Sequence, residues 1–214
     1  MLEVRGLDVN IDSTPILRGL AMNVPDGSMC GLIGRNGAGK TTFLRAIMGA
    51  LVAAAGEVIF NEQDLLKIDP HKRAHMGIGF MPEDRRLVPE LTAEENILVP
   101  VWATGMEDWE KRLSWIYDLM PEVAEFRNRG SFELSGGQQK FVAFARALMV
   151  GKHLLLLDEP GEGIAPIFAQ RMNEIMKSLK DEGESLLVAE SNDKHLVGLL
   201  DRTFVIERGS IVAE

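Results

Sequence analysis

One nine-residue segment constrains the fold of this chain more than any other feature of its sequence. It follows the apolar run Met29–Ile33 and matches the pattern G-x-x-x-x-G-K-[ST] of a phosphate-binding loop, or P-loop, at the start of a helix. In such a loop backbone N–H groups bind phosphate oxygens, the lysine reaches the β- and γ-phosphates, and the first threonine binds Mg²⁺. The predicted nucleotide site consists of Gly34, Arg35, Asn36, Gly37, Ala38, Gly39, Lys40, Thr41 and Thr42.

The order of apolar runs predicts an α/β fold. Short apolar runs alternate with helical patterns, which is typical of a mostly parallel sheet covered by helices. The predicted strands are 2–9, 29–33, 58–60, 78–81, 153–157, 185–189 and 203–207, and the best-patterned helices cover 141–149 and 168–179. From about 92 to 133 the strand pattern stops. We therefore expect a helical subdomain there, inside a single domain spanning 1–214. Its tryptophans are expected in the local core, with a partner-docking surface as the alternative.

Composition excludes several classes of function. With 46% apolar and 26% charged residues, the chain is typical of a globular protein. Its net charge of −9 argues against a surface that binds nucleic acid. It has no apolar stretch long enough to cross a bilayer, and its one cysteine, Cys30, cannot form an internal disulfide. These features favour a cytoplasmic location.

An acidic pair follows the four leucines at 154–157. Because ligands of open α/β sheets bind at the carboxyl ends of strands, Asp158 and Glu159 are predicted to lie at the nucleotide site. We expect Asp158 to hold Mg²⁺, directly or through water. Glu159 is the expected general base, because a carboxylate beside the terminal phosphate orients and activates the attacking water. Together with Lys40 it forms the predicted catalytic set.

A third motif, LSGGQ at 134–138, begins the helix predicted over 141–149. Ser135 is suited to cap that helix, with glycines in the turn. With the P-loop and the acidic pair, the motif resembles the signature of the ABC (ATP-binding cassette) ATPase family. That resemblance implies a P-loop NTPase fold with an N-terminal antiparallel β part, and ATP and Mg²⁺ as cofactors. It also implies that Ser135, Gly136, Gly137 and Gln138 contact ATP bound to a second ATPase subunit, so that two subunits enclose two ATP molecules.

Three further segments resemble one branch of this family. They are MPEDRR at 81–86, LTAEENI at 91–97 and EGIAP at 162–166. The branch contains the second ATPase subunit of importers for branched-chain amino acids, urea and amides. The resemblance implies transmembrane permease subunits, an indirect periplasmic solute-binding protein, and a place on the inner face of the cell membrane. It also implies that Glu83, where most members have glutamine, senses Mg²⁺ and couples to the membrane subunit.

Several positions depart from the general family pattern. Ile11 lies near the place of an aromatic residue that stacks on adenine, and Ala165 replaces an aspartate. Ser191 takes the place of a histidine that contacts the γ-phosphate, and a plain helix N-cap is the alternative interpretation of this serine. His195 is expected to cap or pack in the next helix rather than to replace the histidine. We therefore expect a weakened site at this P-loop. A regulatory subunit with weak or no hydrolysis of its own is the alternative interpretation.

Overall fold

A computed structural model describes residues 1–193 and 196–214; the prediction for His195 lies outside them. The described strands are β1 Leu2–Ile11, β2 Thr14–Val24, β3 Met29–Ile33, β4 Ala53–Phe60, β5 Gln63–Asp64, β6 Ile78–Met81, β7 Leu154–Asp158, β8 Ser185–Glu190, β9 Arg202–Glu207 and β10 Ser210–Ala213. The described helices are α1 Lys40–Ile47, α2 Pro70–His75, α3 Ala93–Thr104, α4 Trp109–Leu119, α5 Pro121–Glu125, α6 Gly136–Val150 and α7 Pro166–Asp181. Short 3-10 turns cover Leu65–Lys67 and Ser131–Glu133.

A six-stranded sheet forms the centre of the molecule, in the order β10-β9-β3-β8-β7-β6. Strand β3 runs parallel to β8 and β9, and β7 runs parallel to β6 and β8. Only β10 pairs antiparallel within this sheet among the described strands. Every residue of β7 and β8 is buried, because helices cover both faces. The predicted mostly parallel core is confirmed, and the carboxyl ends of β3, β7 and β8 meet at one edge.

A second, antiparallel sheet contains the N-terminal strands in the order β2-β1-β4-β5. It confirms the antiparallel part that the family resemblance implied. The prediction missed β2, in which Pro15 and Gly19 interrupt the alternation of apolar residues. It also placed the start of β4 five positions late, because residues 54–57 are exposed and supply no apolar pattern.

Helices α3, α4 and α5 fill the stretch predicted to be helical. Thr92 caps α3 through a reciprocal capping box with Glu95. All three helices contribute to one hydrophobic cluster with α6, α7 and β7. Trp109 and Trp115 pack against this cluster as predicted, whereas Trp102 is 58% exposed. The prediction that all three tryptophans lie in local core was therefore wrong for Trp102.

A buried arginine fixes the end of the helix that follows the P-loop. Arg73, on α2, donates from Nη1 to the carbonyls of Ala46 and Ile47 at 3.0 and 2.5 Å, and from Nη2 to those of Leu65 and Ile68 at 2.7 and 3.2 Å. The first two carbonyls belong to the last turn of α1, and that of Ala46 also accepts from the N–H of Gly49 at 3.0 Å. One guanidinium thus ties α1 to the segment after β5.

We expect Arg73→Met to lower the free energy of unfolding by about 3 kcal/mol, because it removes a buried donor that four carbonyls share. Urea denaturation measures this. The matched control is Lys72→Met on the same helix, because the exposed Lys72 ammonium pairs with Asp69 at the surface. This substitution should change stability by less than about 1 kcal/mol. Equal effects of the two substitutions would contradict the assigned role of Arg73.

Candidate functional site

The loop after β3 has the backbone shape that its glycines permit. A Cβ atom on Gly34 would lie 2.4 Å from the carbonyl oxygen of Ile206, so only glycine fits. Gly39 precedes α1 with a φ of 116°, in the left-handed region. The loop borders a cavity of about 330 Å³. The cavity is lined by the loop residues 36, 37 and 39–42, and also by Ile16, Glu83 and Glu159. Gly34, Arg35, Ala38 and Ser191 line a second cavity on the other side of the loop.

Lys40 is a buried cation at the first position of α1, with 5% of its surface exposed. Its Nζ donates to the carbonyl of Gly34 at 2.6 Å and forms an ion pair with Glu159 Oε1 at 2.9 Å. The pair joins the first residue of α1 to the residue after β7. The structure therefore brings together the two residues that the sequence predicted as catalytic.

Asp158 and Thr41 form the second contact between the P-loop and β7. The Thr41 hydroxyl donates to Asp158 Oδ1 at 3.2 Å, while Asp158 Oδ2 is buried and has no hydrogen-bond partner among the described residues. Burial raises the pKa of Asp158 to about 6, and the nearby carboxylate of Glu83 adds to the increase. A buried oxygen without a donor, beside a hydroxyl and a second carboxylate, fits a hard cation such as Mg²⁺.

The described residues contain no group of three His, Cys, Asp or Glu side chains that could hold a metal ion. This does not conflict with the fit, because Mg²⁺ at nucleotide sites binds through one or two protein oxygens together with phosphate oxygens and water. Thr41 and Asp158 would offer such protein oxygens, and Glu83 lines the P-loop cavity together with Thr41.

Glu159 is held at both carboxylate oxygens. Ser191 donates from its hydroxyl to Oε1 at 2.8 Å and from its backbone N–H to Oε2 at 3.1 Å. Burial alone would raise the pKa of Glu159, but contacts with Glu190, Lys40 and Ser191 outweigh it and hold the pKa below its ordinary value. Glu159 is therefore ionised at neutral pH, the state that a general base requires.

Glu190 lies beside Glu159 at the end of β8. Burial raises the pKa of Glu190 to about 8, and its hydrogen bond with Glu159 contributes to the increase. Its Oε1 accepts from the N–H of Gly161 at 3.1 Å. At neutral pH the proton of this carboxyl pair therefore resides on Glu190, which leaves the charge on Glu159.

Ser191 makes two contacts that the sequence did not predict. The sequence placed it among the nucleotide contacts, in the position of a histidine. In the structure its hydroxyl contacts Glu159 and also lies 2.7 Å from Asn36 Oδ1. Ser191 thus bridges the carboxylate and the P-loop.

The signature segment lies outside the P-loop cavity. Ser135 caps α6, with its Oγ accepting from the N–H of Gln138 at 3.3 Å and its own N–H donating to Gln138 Oε1 at 2.9 Å. The predicted N-cap is confirmed. Gly136 and Gly137 form the first turn, and Ser135 is exposed at the surface. Within one chain, these four residues therefore do not contribute to the P-loop cavity.

Two buried residues of the site were missed by the sequence analysis. Glu190 and Lys140 are 8% and 1% exposed, and the Lys140 ammonium donates to the carbonyl of Glu159. Lys140 follows the signature segment in the polar first part of α6, and Glu190 follows an apolar run as charged residues at strand ends commonly do. Their spacing carried no signal that would have distinguished them from surface charges.

Comparison with known proteins identifies the family. The family model described as ABC transporter matches residues 17–162, which is more than half of the chain. The chain belongs to the ABC transporter family. This membership confirms the resemblance drawn from the signature segment, and it makes the chain an ATPase.

Relatives and solved structures agree with this assignment. The chain is 35% identical over 196 residues to the high-affinity branched-chain amino acid transport ATP-binding protein BraG of Pseudomonas aeruginosa, covering 92% of this chain and 84% of BraG. It is 29% identical to the lipopolysaccharide export system ATP-binding protein LptB of Escherichia coli, over 92% of this chain and 83% of LptB. A nucleotide-free ATP-binding cassette from an ABC transporter superposes with a TM-score of 0.86 at 27% identity, covering 100% of this chain and 90% of that one. These likenesses confirm the P-loop NTPase fold.

We expect Glu190→Gln to stabilise the nucleotide-free ABC ATPase chain at pH 8 but not at pH 5. The pKa of Glu190 in the folded chain, about 8, lies above the ordinary value of 4.5. Its protonated form therefore favours folding at low pH, and that contribution is lost as the pH rises from 4.5 toward 8. Glutamine keeps the acceptor for the N–H of Gly161 and never ionises. At pH 8 the substitution should therefore raise the free energy of unfolding by a few kcal/mol, since each pKa unit corresponds to about 1.4 kcal/mol.

Urea denaturation of both proteins at the two pH values measures this difference. The control is Glu90→Gln, which changes an exposed carboxylate in a loop and should shift stability equally little at both. A Glu190→Gln effect of the same size at pH 5 and pH 8 would show that Glu190 is not protonated in the folded chain.

Proposed function

We propose that this chain binds Mg²⁺-ATP at its P-loop and hydrolyses it as one half of a two-subunit ABC motor that drives transport. The observation that carries the proposal is the meeting of Lys40, Thr41, Asp158 and Glu159 at the carboxyl ends of β3 and β7. In this assignment the backbone N–H groups of 34–42 bind phosphate oxygens, and Thr41, Asp158 and Glu83 hold Mg²⁺. When bound, the metal ion would offset charge on the phosphate oxygens.

The ion pair between Lys40 and Glu159 suggests how binding prepares the reaction. Without nucleotide, the ammonium neutralises the carboxylate that is to serve as base. A terminal phosphate is a competing anion for Lys40, so nucleotide binding would draw the ammonium away from Glu159. Ser191 and Glu190 continue to hold the carboxylate, which is then available to accept a proton from water.

Completion of the site requires a second subunit. Ser135, Gly136, Gly137 and Gln138 present a capped helix N-terminus at the surface of the chain, away from its own P-loop. A helix N-terminus favours anions, and we assign it to the terminal phosphate of ATP on a partner ATPase subunit. One nucleotide-binding domain, 1–214, with its helical subdomain at about 92–133, would thus supply complementary halves of two sites.

The transported solute is proposed from relatives only. BraG is named for branched-chain amino acids and LptB for lipopolysaccharide export. The segments shared with the importer branch favour branched-chain amino acids or related small organic solutes. The chain would then bind transmembrane permease subunits at the inner face of the membrane, with a periplasmic solute-binding protein acting on the same complex. No helix of the described residues has the length and apolar character to cross a bilayer.

A regulatory subunit is the second candidate. It is favoured by Ser191, which contacts the base in place of a nucleotide-contacting histidine, and by Ile11, an exposed aliphatic residue at the end of β1. The retained set of Lys40, Asp158 and Glu159 favours hydrolysis. The two candidates make opposite predictions for Glu159.

We expect Glu159→Gln to lower the ATPase rate by about 100-fold or more, because the side chain can no longer accept a proton. The steady-state rate is measured for the purified chain alone and mixed with its second ATPase subunit, and it should rise on mixing. The matched control is the exposed Glu125→Gln, which should leave the rate unchanged. An ATPase rate that does not change in Glu159→Gln would contradict the assignment of Glu159 as the base and favour the regulatory subunit.

We expect Ser191→Ala to lower kcat by about tenfold with little change in the Kd for ATP, because the lost hydroxyl positions Glu159 and does not bind nucleotide. Turnover at saturating ATP and titration with a fluorescent ATP analogue separate the two quantities. A rise in the Kd for ATP with unchanged kcat would instead indicate that Ser191 contacts the nucleotide, as the sequence predicted.

A further inference from the structure

Lys140 is a buried charge that the proposed chemistry does not use. It is the fifth residue of α6, two positions after Gln138, and 1% of its surface is exposed. Its Nζ donates to the backbone carbonyl of Glu159. Burying an ammonium group costs several kcal/mol unless a partner compensates it. Using a buried lysine to hold a helix against a turn therefore carries a large cost in desolvation free energy.

The carbonyl that Lys140 binds belongs to a residue with an unusual backbone. Glu159 has a φ of 49°, in the left-handed region that non-glycine residues rarely adopt. Such a conformation costs about 1–3 kcal/mol and persists only where surrounding contacts determine it. Because backbone dihedrals set the direction of the Cβ bond, this conformation decides where the Glu159 carboxylate points.

Contacts on both sides fix the Glu159 backbone. Its N–H donates to the carbonyl of Ala189 at 2.9 Å, which joins it to β8. Its carbonyl accepts from Lys140 and from the N–H of Glu162 at 3.2 Å. Among these three contacts, Lys140 supplies the one side-chain donor, and it comes from the helix that begins at the signature segment.

We propose that Lys140 is a positioning residue for hydrolysis, holding Glu159 from helix α6 in the left-handed conformation that directs its carboxylate into the P-loop cavity. This rests on the proposed function, in which Glu159 is the base. Lys140 does not touch the cavity: it is absent from the residues that line it. Its loss should therefore slow turnover without weakening nucleotide binding.

A second consequence concerns the two halves of the motor. The helix that presents Ser135 to the partner's nucleotide also carries Lys140, five residues further along. A displacement of α6 on closure of the two subunits would act directly on the Glu159 carbonyl. Lys140 thus provides a mechanical connection between the surface that meets the partner and the base of this chain's own site.

The experiment measures kcat and the Kd for ATP of Lys140→Met, Lys140→Arg and Glu159→Gln in the chain with its second ATPase subunit. Lys140→Met keeps the side-chain volume and removes the donor. We expect its kcat to fall by about 100-fold, since misplacing a catalytic group by about 1 Å costs that much. The Kd for a fluorescent ATP analogue should stay within about threefold of wild type, and arginine, which keeps a cationic donor, should recover at least about tenfold in kcat.

Arg112→Met is the control for stability. Arg112 donates to the carbonyls of Leu148 and Gly151 at the other end of α6 and does not contact Glu159. The proposal is overturned if, at matched thermal destabilisation, kcat falls no further in Lys140→Met than in Arg112→Met. It is also overturned if the kcat of Lys140→Met stays within about threefold of wild type. If Lys140→Met does not fold, Lys140→Gln has a shorter side chain that does not reach the carbonyl, and the same outcomes apply to it.

The Glu159→Gln variant distinguishes failure of the proposed function from failure of the positioning role of Lys140. If it keeps wild-type activity, the proposed base is wrong whatever Lys140 does. If it is inactive while Lys140→Met turns over normally, the proposed function stands and the positioning role of Lys140 is wrong.

Discussion

The ion pair between Lys40 and Glu159 is the interaction on which the site depends. It joins the residue that opens α1 to the residue that follows β7, and both side chains are buried. A buried charge that loses its partner costs about 3–5 kcal/mol, so neither residue is free to leave unless another charge replaces it. In the proposed mechanism, the negatively charged phosphates of a nucleotide replace Glu159 as the partner of Lys40, while Ser191 and Glu190 keep their hydrogen bonds to Glu159. Under that proposal, the nucleotide-free chain holds its base in a neutralised form that the nucleotide releases.

The sheet explains why the two residues meet. Strands β3 and β7 both run parallel to β8, which lies between them, so the segments after these three strands emerge at one edge. This part of the structure was predictable. The P-loop and the acidic pair are local patterns, and a run of leucines buried on both faces indicates a central parallel strand. The antiparallel strands were harder to predict, because apolar alternation covers only the second half of β2 and is absent from the start of β4, where pairing with β1 extends both strands.

The details that set the electrostatics of the site did not follow from sequence. Ser191 was assigned to the nucleotide by its place in a family pattern, yet its hydroxyl contacts Glu159. Glu190 and Lys140 resemble ordinary charged residues until the fold buries Glu190 beside that carboxylate and Lys140 against the backbone carbonyl of Glu159. Burial and proximity, which decide pKa values, arise from tertiary packing between α6, β7 and β8. A sequence motif identifies the reacting groups, whereas the groups that hold them become visible only in three dimensions.

The most direct test of this account is a structure of the wild-type chain with Mg²⁺ and a non-hydrolysable ATP analogue. The account predicts that Lys40 Nζ contacts phosphate oxygens and has left Glu159, while Ser191 and Lys140 still hold the carboxylate and the backbone of that residue. An analogue bound at the P-loop with the ion pair between Lys40 and Glu159 intact would contradict it.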